Sequence, residues 1–436
     1  MDWASFYQTI NICNTILKFA PTAQANDPTF SEAQLKEYEG QAIAIRSLMY
    51  FYLVRTFGDV PFIREAYVNG SQQMSVAKSS EKEILAGLVA DLEMVETGNY
   101  LPGQYSSTDI AQNKGRMTMW AVKALLADIY LWQEEYEKCN RKCDEIIGSG
   151  QLLLVPVESR KIEVENTEEG TTDIYYAPDQ SSYYSLFQQI YYQGNSMESI
   201  FELQFATDNL NPFYSLMSSG RGVIGVKTER VNSDIFPPLA DEAYSGECFD
   251  IRSVISQSKS CLWKYIGVEP NGSERAQEEY TNNFIIYRLA EIYLMKAEAL
   301  TQMAILDSDN QELLKEAYAA VKVIRDRSTA VATTDIGQTE GSYSGKAMEE
   351  FVLAERGREL IFEGKRWFDV LRQAKRNNYD GENLNYLMTL AEYSAPASKV
   401  NSLKAKYRNY HSHYLPIYSE EIDANPLLEQ NEFYAN

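Results

Sequence analysis

Four long stretches of this chain carry apolar residues at the spacing of an α-helix, and that periodicity limits the fold more than any other feature. Ile45, Leu48, Met49, Tyr52 and Leu53 form one stripe, and Val122, Leu125, Leu126, Ile129 and Tyr130 a second. Ile286, Leu289, Ala290, Tyr293, Leu294 and Ala297 form a third, and Gly357, Leu360, Ile361, Gly364, Phe368 and Leu371 a fourth. Charged residues fill the intervals, so each stretch predicts a helix with one buried face. Two of them repeat each other: Leu126-Ala-Asp-Ile-Tyr-Leu131 returns as Leu289-Ala-Glu-Ile-Tyr-Leu294 with one acid exchanged for the other. A second helix is predicted after each copy, over Tyr136 to Ile147 and Leu313 to Arg327. Ala127 and Ala290 are small enough to let paired helices approach closely. The pattern is that of tetratricopeptide-type helix pairs, although the ~34-residue period of that repeat is not kept from unit to unit.

The segment from Gly148 to about Asn283 has a different composition, rich in Gly, Pro, Ser, Asn and Tyr, with short alternating runs such as Ser199 to Phe205. Long loops, short strands and few helices are expected there. The chain therefore reads as a mostly all-α single domain with a helical scaffold over about 1–147 and 284–372. A loop-rich insert spans about 148–283, and an irregular clasp 373–436, with Tyr379 to Tyr414 read as loop. Loops on a rigid scaffold are where binding residues concentrate, which points to the insert.

Charge excludes some functions. Lys+Arg 40 against Asp+Glu 62 gives a net charge of −22. Such a surface repels phosphate backbones and anionic bilayers, but not neutral ligands such as glycans. No apolar run approaches the ~20 residues that span a bilayer. Met1 is followed by an amphipathic segment rather than a leader, so the chain is read as cytoplasmic or as starting after a removed leader. The five cysteines, Cys13, Cys139, Cys143, Cys248 and Cys261, read as small core residues rather than a disulfide framework. The two histidines, His411 and His413, form a solvated loop pair in this reading and supply neither a Ser/His/Asp triad nor a zinc site. Asp307 to Gln311 faintly echoes a calcium loop but lacks its glycine and terminal glutamate. No cofactor or metal is expected. Glu355, Glu359 and Glu363 fall at four-residue spacing beside Arg356, Arg358, Lys365 and Arg366, which predicts ion pairs locking helices together rather than a catalytic carboxylate pair.

Four landmarks resemble the SusD/RagB family. They are Arg46 to Pro61, which ends in Phe-Gly-Asp-Val-Pro; Phe284 to Ala299 with Val323-Ile-Arg-Asp-Arg327; Glu355 to Arg372; and Leu415 to Asn431. The resemblance implies a right-handed superhelix of about four helix pairs, and an outer-membrane lipoprotein of Bacteroidetes. It implies capture of an oligosaccharide without cleavage, weakly, for a SusC-like TonB-dependent transporter partner. The family's acylated cysteine has no counterpart here, because Cys13 lies inside a predicted helix; the lipid anchor and cell-surface location are inferred from the resemblance alone.

Glycan capture needs aromatic faces for sugar rings and polar groups for hydroxyls. Tyrosine is abundant, with 31 residues. The loop after Pro61 offers Arg64, Tyr67 and Asn69. The insert offers Tyr183, Tyr184, Tyr191, Tyr192, Tyr214, Arg221, Trp263 and Tyr265; Trp263 and Tyr265 also fit a packing role. Two rival functions are a glycoside hydrolase on a helical scaffold and a cytoplasmic helical-repeat adaptor that binds peptides.

Overall fold

Most residues of the predicted stripes fold as helix, with Ile286 instead on a strand and Leu360, Ile361 and Gly364 in a turn, and the computed structural model is mostly helical, 57%. It describes residues 3–70, 72–166, 170–218, 224–255, 262–266, 273–336, 342–379 and 385–435. Among these, the helices of ten residues or more are α1 (Ala4–Asn26), α2 (Glu32–Phe57), α3 (Glu81–Thr97), α4 (Met119–Trp132), α5 (Tyr136–Ile147), α6 (Leu289–Leu306), α7 (Gln311–Arg327), α8 (Gly345–Glu359), α9 (Arg366–Arg376), α10 (Asn385–Ser394) and α11 (Ala397–Tyr407). Among the described residues four strands make two antiparallel pairs: β1 (Ser159–Asn166) with β2 (Thr171–Pro178), and β3 (Ser199–Leu203) with β4 (Phe284–Arg288).

The chain falls into two compact units, each assembled from distant segments. The first comprises Met1–Tyr105, Met117–Glu134 and Phe368–Asn436; the second comprises Ser106–Arg116 and Glu135–Trp367. The first unit thus takes in the C-terminal clasp, and the second takes in the insert.

In the first unit α1 packs on α2, α2 on α3, and α3 on α4. Helix α2 begins at a reciprocal cap, in which Ser31 Oγ accepts from the Gln34 backbone N–H and Gln34 Oε1 accepts from that of Ser31. It stops at Gly58, whose φ of 74° is open to glycine. The buried Arg46 donates to Asn14 at 2.7 Å and to Asp91 at 2.8 Å, tying α2 to α1 and α3.

In the second unit α6 lies against α5, α7 and α8. Its core joins Ala290, Leu294, Ala297 and Leu300 to Val321, Ile324, Phe351 and Val352. The repeated Ala290 is wholly buried, as is Ala127 in the first unit.

Three expectations are corrected. The Glu355 to Arg372 stretch is not one helix: α8 ends at Glu359, Phe362 and Gly364 take positive φ of 65° and 75°, and α9 starts at Arg366. Tyr379 to Tyr414 is not all loop, because it contains α10 and α11. Leu387 and Ala391, one helical turn apart, are both fully buried, and Pro396 separates the two helices. His413 is not solvated; it is 2% exposed, and its Nε2 lies 2.7 Å from the Tyr407 carbonyl. Burial pushes its pKa below the usual histidine value. Cys261 lies outside the described residues, while Cys13, Cys139, Cys143 and Cys248 are buried free thiols.

Candidate functional site

The second unit encloses an unusual concentration of charge. Arg288, 1% exposed at the end of β4, donates to Glu198 at 2.7 Å, to Glu359 at 2.6 Å and to Glu363 at 2.8 Å. Arg252 reaches Glu355 at 2.6 Å and Asp250 at 2.6 Å, and Lys264 reaches Glu363 at 2.8 Å. Arg327 pairs with Glu198 and Glu359. The positive φ at Phe362 and Gly364 carries the chain off the helix while Glu363 still turns inward. Burial opposes ionisation of Glu355, but the guanidiniums of Arg252, Arg358 and Arg325 outweigh it and hold the carboxyl at about 2. Burial likewise opposes ionisation of Glu363, and Arg288 and Lys264 bring it to about 2. A general acid needs a raised pKa; these carboxylates are held in the opposite state. They brace β4, α7 and α8.

That brace fixes the strand from which a polar-and-aromatic surface grows. Just before β4, the Asn211 backbone N–H donates to the Tyr280 carbonyl at 2.9 Å, and its side chain donates to the Asn282 carbonyl at 2.9 Å. Asn282 in turn donates to the Tyr191 carbonyl at 2.7 Å. These bonds clamp three loop segments around Tyr280, which is wholly buried. Tyr214, Met217 and Trp263, each half-buried, pack on it. The Tyr214 ring meets that of Tyr280 edge-on at 4.6 Å and 88°. Trp263 also lies 6.1 Å from the Phe187 ring. Beside it, Arg275 sits 3.7 Å over the half-buried Tyr192 ring and donates to Asn282 at 2.6 Å, and Glu274 accepts from the Tyr280 hydroxyl at 3.4 Å. Half-exposed rings next to a guanidinium and a carboxylate offer stacking faces with directional polar partners.

Two residues expected at the site, Tyr214 and Trp263, are thus brought together. Tyr265 is not available in the same way: it is 5% exposed, with its ring stacked on Phe284 at 5.6 Å and against Phe213 at 4.9 Å, so it packs the core. Tyr191 is likewise buried and donates to Glu363 at 3.1 Å. Arg221 and the side chains of Tyr183 and Tyr184 lie outside the described residues. Tyr280, Glu274 and Arg275 were not anticipated, since Ser273 to Thr281 has no periodicity or motif to mark it.

The loop after Pro61 belongs to the first unit. Arg64 is exposed but pairs with Asp91 at 2.6 Å and lies over Phe62. Tyr67 is pinned by Asn11, whose side chain bonds both its N–H and its carbonyl, and its hydroxyl donates to the Gln73 carbonyl at 2.9 Å. Asn69 is exposed, with its N–H bonded to Gln72. Among the described residues no group of three His, Cys, Asp or Glu side chains is placed to hold a metal, and no helix is long and apolar enough to cross a membrane.

Comparison with known proteins agrees with this architecture. The SusD family profile matches residues 256–434, and a second, described as starch-binding and associating with outer membrane, matches residues 1–131. SusD-like protein P2 of Formosa agariphila is 24% identical over 397 residues, covering 87% of this chain and 73% of its own. Among solved structures, a laminarin binding SusD-like protein superposes with a TM-score of 0.63 at 21% identity, over 99% of this chain and 85% of its own. The surface glycan-binding protein A of Bacteroides thetaiotaomicron, in complex with laminarihexaose, gives 0.63 at 22%, over 98% and 84%. The chain belongs to the SusD/RagB family.

Proposed function

We propose that this SusD/RagB protein captures an oligosaccharide at the outer membrane and passes it, uncleaved, to a SusC-like TonB-dependent transporter. Family membership supports glycan binding and association with the outer membrane; the transporter, the lipid anchor and the absence of catalysis are part of the proposal. The observation that carries the reading is the clamped surface around Tyr280, where Tyr214 and Trp263 present partly exposed rings beside Arg275 and Glu274. Rings held by a buried hub lose little freedom when a sugar stacks on them. Two structural neighbours bind laminarin or laminarihexaose, which makes β-glucans the first ligands to try. Arg64, Tyr67 and Asn69 form a second candidate surface, with the exposed Arg64 guanidinium held on Asp91 through one of its nitrogens.

The test is affinity electrophoresis through gels containing laminarin or other plant, host and microbial polysaccharides, with product analysis alongside. Retardation without products, lost in Tyr214→Ala and kept in Tyr67→Ala, is the expected result. Loss in Tyr67→Ala alone moves the site to the loop after Pro61. Product formation revives the hydrolase, and failure to bind any glycan sinks the proposal.

A further inference from the structure

The first unit contains a cleft of about 370 Å³ whose chemistry is not that of a sugar site. Trp3, Tyr7 and Ile10 of the N-terminal segment form one wall, Ile63, Tyr67 and Met74 another, and Ala424 and Leu428 a third. Its polar groups are almost all engaged. The Tyr7 hydroxyl donates to the Pro61 carbonyl at 2.8 Å and that of Tyr67 to Gln73. Asn11 holds the Tyr67 backbone, and Asn425 donates to the Val76 carbonyl at 2.9 Å while accepting from the Leu427 N–H. One ionisable group is left on the walls besides the phenols. Glu421 is half-buried, and its carboxylate makes no hydrogen bond or ion pair with any described residue. Burial first, then Tyr50 and the Glu421 charge, push the Tyr7 phenol well above its usual pKa. No basic side chain lines it among the described residues.

A sugar entering here would lose water from several hydroxyls and find one acceptor. An anion would meet a carboxylate in a chain of net charge −22. An aliphatic stem ending in a single ammonium matches both halves of the cleft, since apolar and aromatic walls take the methylenes and attract the cation while Glu421 neutralises it. We propose that this cleft binds an alkylammonium group, the chemistry shared by a lysine side chain and a free aliphatic diamine. None of its residues lies in the surface around Tyr280; Tyr67 alone is shared with the second candidate glycan surface after Pro61.

Isothermal titration of the whole chain with pentylammonium, 1-pentanol and pentanoate tests it. Pentylammonium is expected to bind at least tenfold more tightly than the other two. Glu421→Gln, which removes the charge and disturbs no bond, is expected to erase that preference. Met74→Lys, at a lining position that is 65% exposed, places a competing ammonium at the rim and is expected to weaken binding as well. An acetylated, amidated lysine tripeptide that binds as well as pentylammonium identifies a polypeptide lysine as the natural source; binding confined to pentylammonium and 1,5-diaminopentane identifies a free amine. Equal binding of pentanol, unchanged pentylammonium affinity in both variants, or no binding of any probe overturns the proposal.

Discussion

Asp128 accepts a hydrogen bond from Arg55 at 3.2 Å inside the first unit, and Glu291, its counterpart in the second copy of the repeated hexapeptide, lies 2.9 Å from Lys365 inside the second. Both acids are buried, at 4% and 2% exposure, on otherwise apolar helix faces. The repeat therefore conveys more than helix packing: each copy carries an acid that anchors a cation brought from elsewhere in its own unit. Arg55 completes its surroundings with the rings of Phe51 at 3.8 Å and Phe368 at 4.5 Å.

Removing one partner of such a pair strands the other charge. Asp128→Ala is expected to destabilise the protein by about 3–5 kcal/mol, because Arg55 stays buried without its carboxylate. Adding Arg55→Met should restore much of that loss, since an apolar side chain can pack against Phe51 and Phe368. Urea unfolding of the two single variants and the double variant measures the coupling; simple additivity would show that the pair is not the source of the effect.

The buried carboxylates paired with Arg252 and Arg288 give the protein an acid limit. Glu355 and Glu363 ionise at about 2 in the folded chain, against 4.5 for a free glutamate. A folded pKa depressed in this way contributes stability that is complete above the unfolded value and is lost as pH falls through the folded one. Melting temperature is therefore expected to hold steady above about pH 5 and to fall steeply from there towards pH 2. Glu363→Gln should flatten part of that fall while lowering stability at pH 7, and a melting curve series from pH 2 to 8 reads both.

Gly364 follows Glu363 in the turn between α8 and α9. Its φ is 75°, and a Cβ there would meet nothing within 4 Å, so any penalty for Gly364→Ala comes from backbone conformation alone. That penalty is expected to be about 1 kcal/mol. Gly70→Ala, equally open but without a positive φ, should be close to neutral in the same denaturation assay.

These features also show what the sequence made legible. Periodicity located α2, α4, α6 and α8, and the Phe-Gly-Asp-Val-Pro turn marked the end of α2, because one glycine with φ of 74° decides it locally. Glu355, Glu359 and Glu363 were recognisable as ion-pair formers, but the turn at Phe362 was not, since a bulky residue with positive φ has no local signature. Helices α10 and α11 hid because their apolar residues are few and interleaved with Tyr, Asn and Ser. The surface around Tyr280 depends on bonds such as Asn211 to Asn282, 71 residues apart, which no local pattern encodes. For the same reason Tyr265, two residues from Trp263, could not be told apart from it, although one packs the core and the other stays half-exposed.

Stacking and charge make different demands on the proposed glycan surface around Tyr280, and they separate in one experiment. Tyr214 meets Tyr280 through its ring, so Tyr214→Phe keeps the stacking face and should retain glycan affinity, whereas Tyr214→Ala removes it and should weaken binding by about tenfold. A neutral ligand releases no counterions, so the dissociation constant should stay within about twofold between 0.05 and 0.5 M salt, despite the net charge of −22. Titration calorimetry with the glycan selected by affinity electrophoresis measures both quantities. A strong salt dependence would point to a charged polysaccharide read by Arg275, and equal loss in Tyr214→Phe and Tyr214→Ala would make the hydroxyl, rather than the ring, the contact.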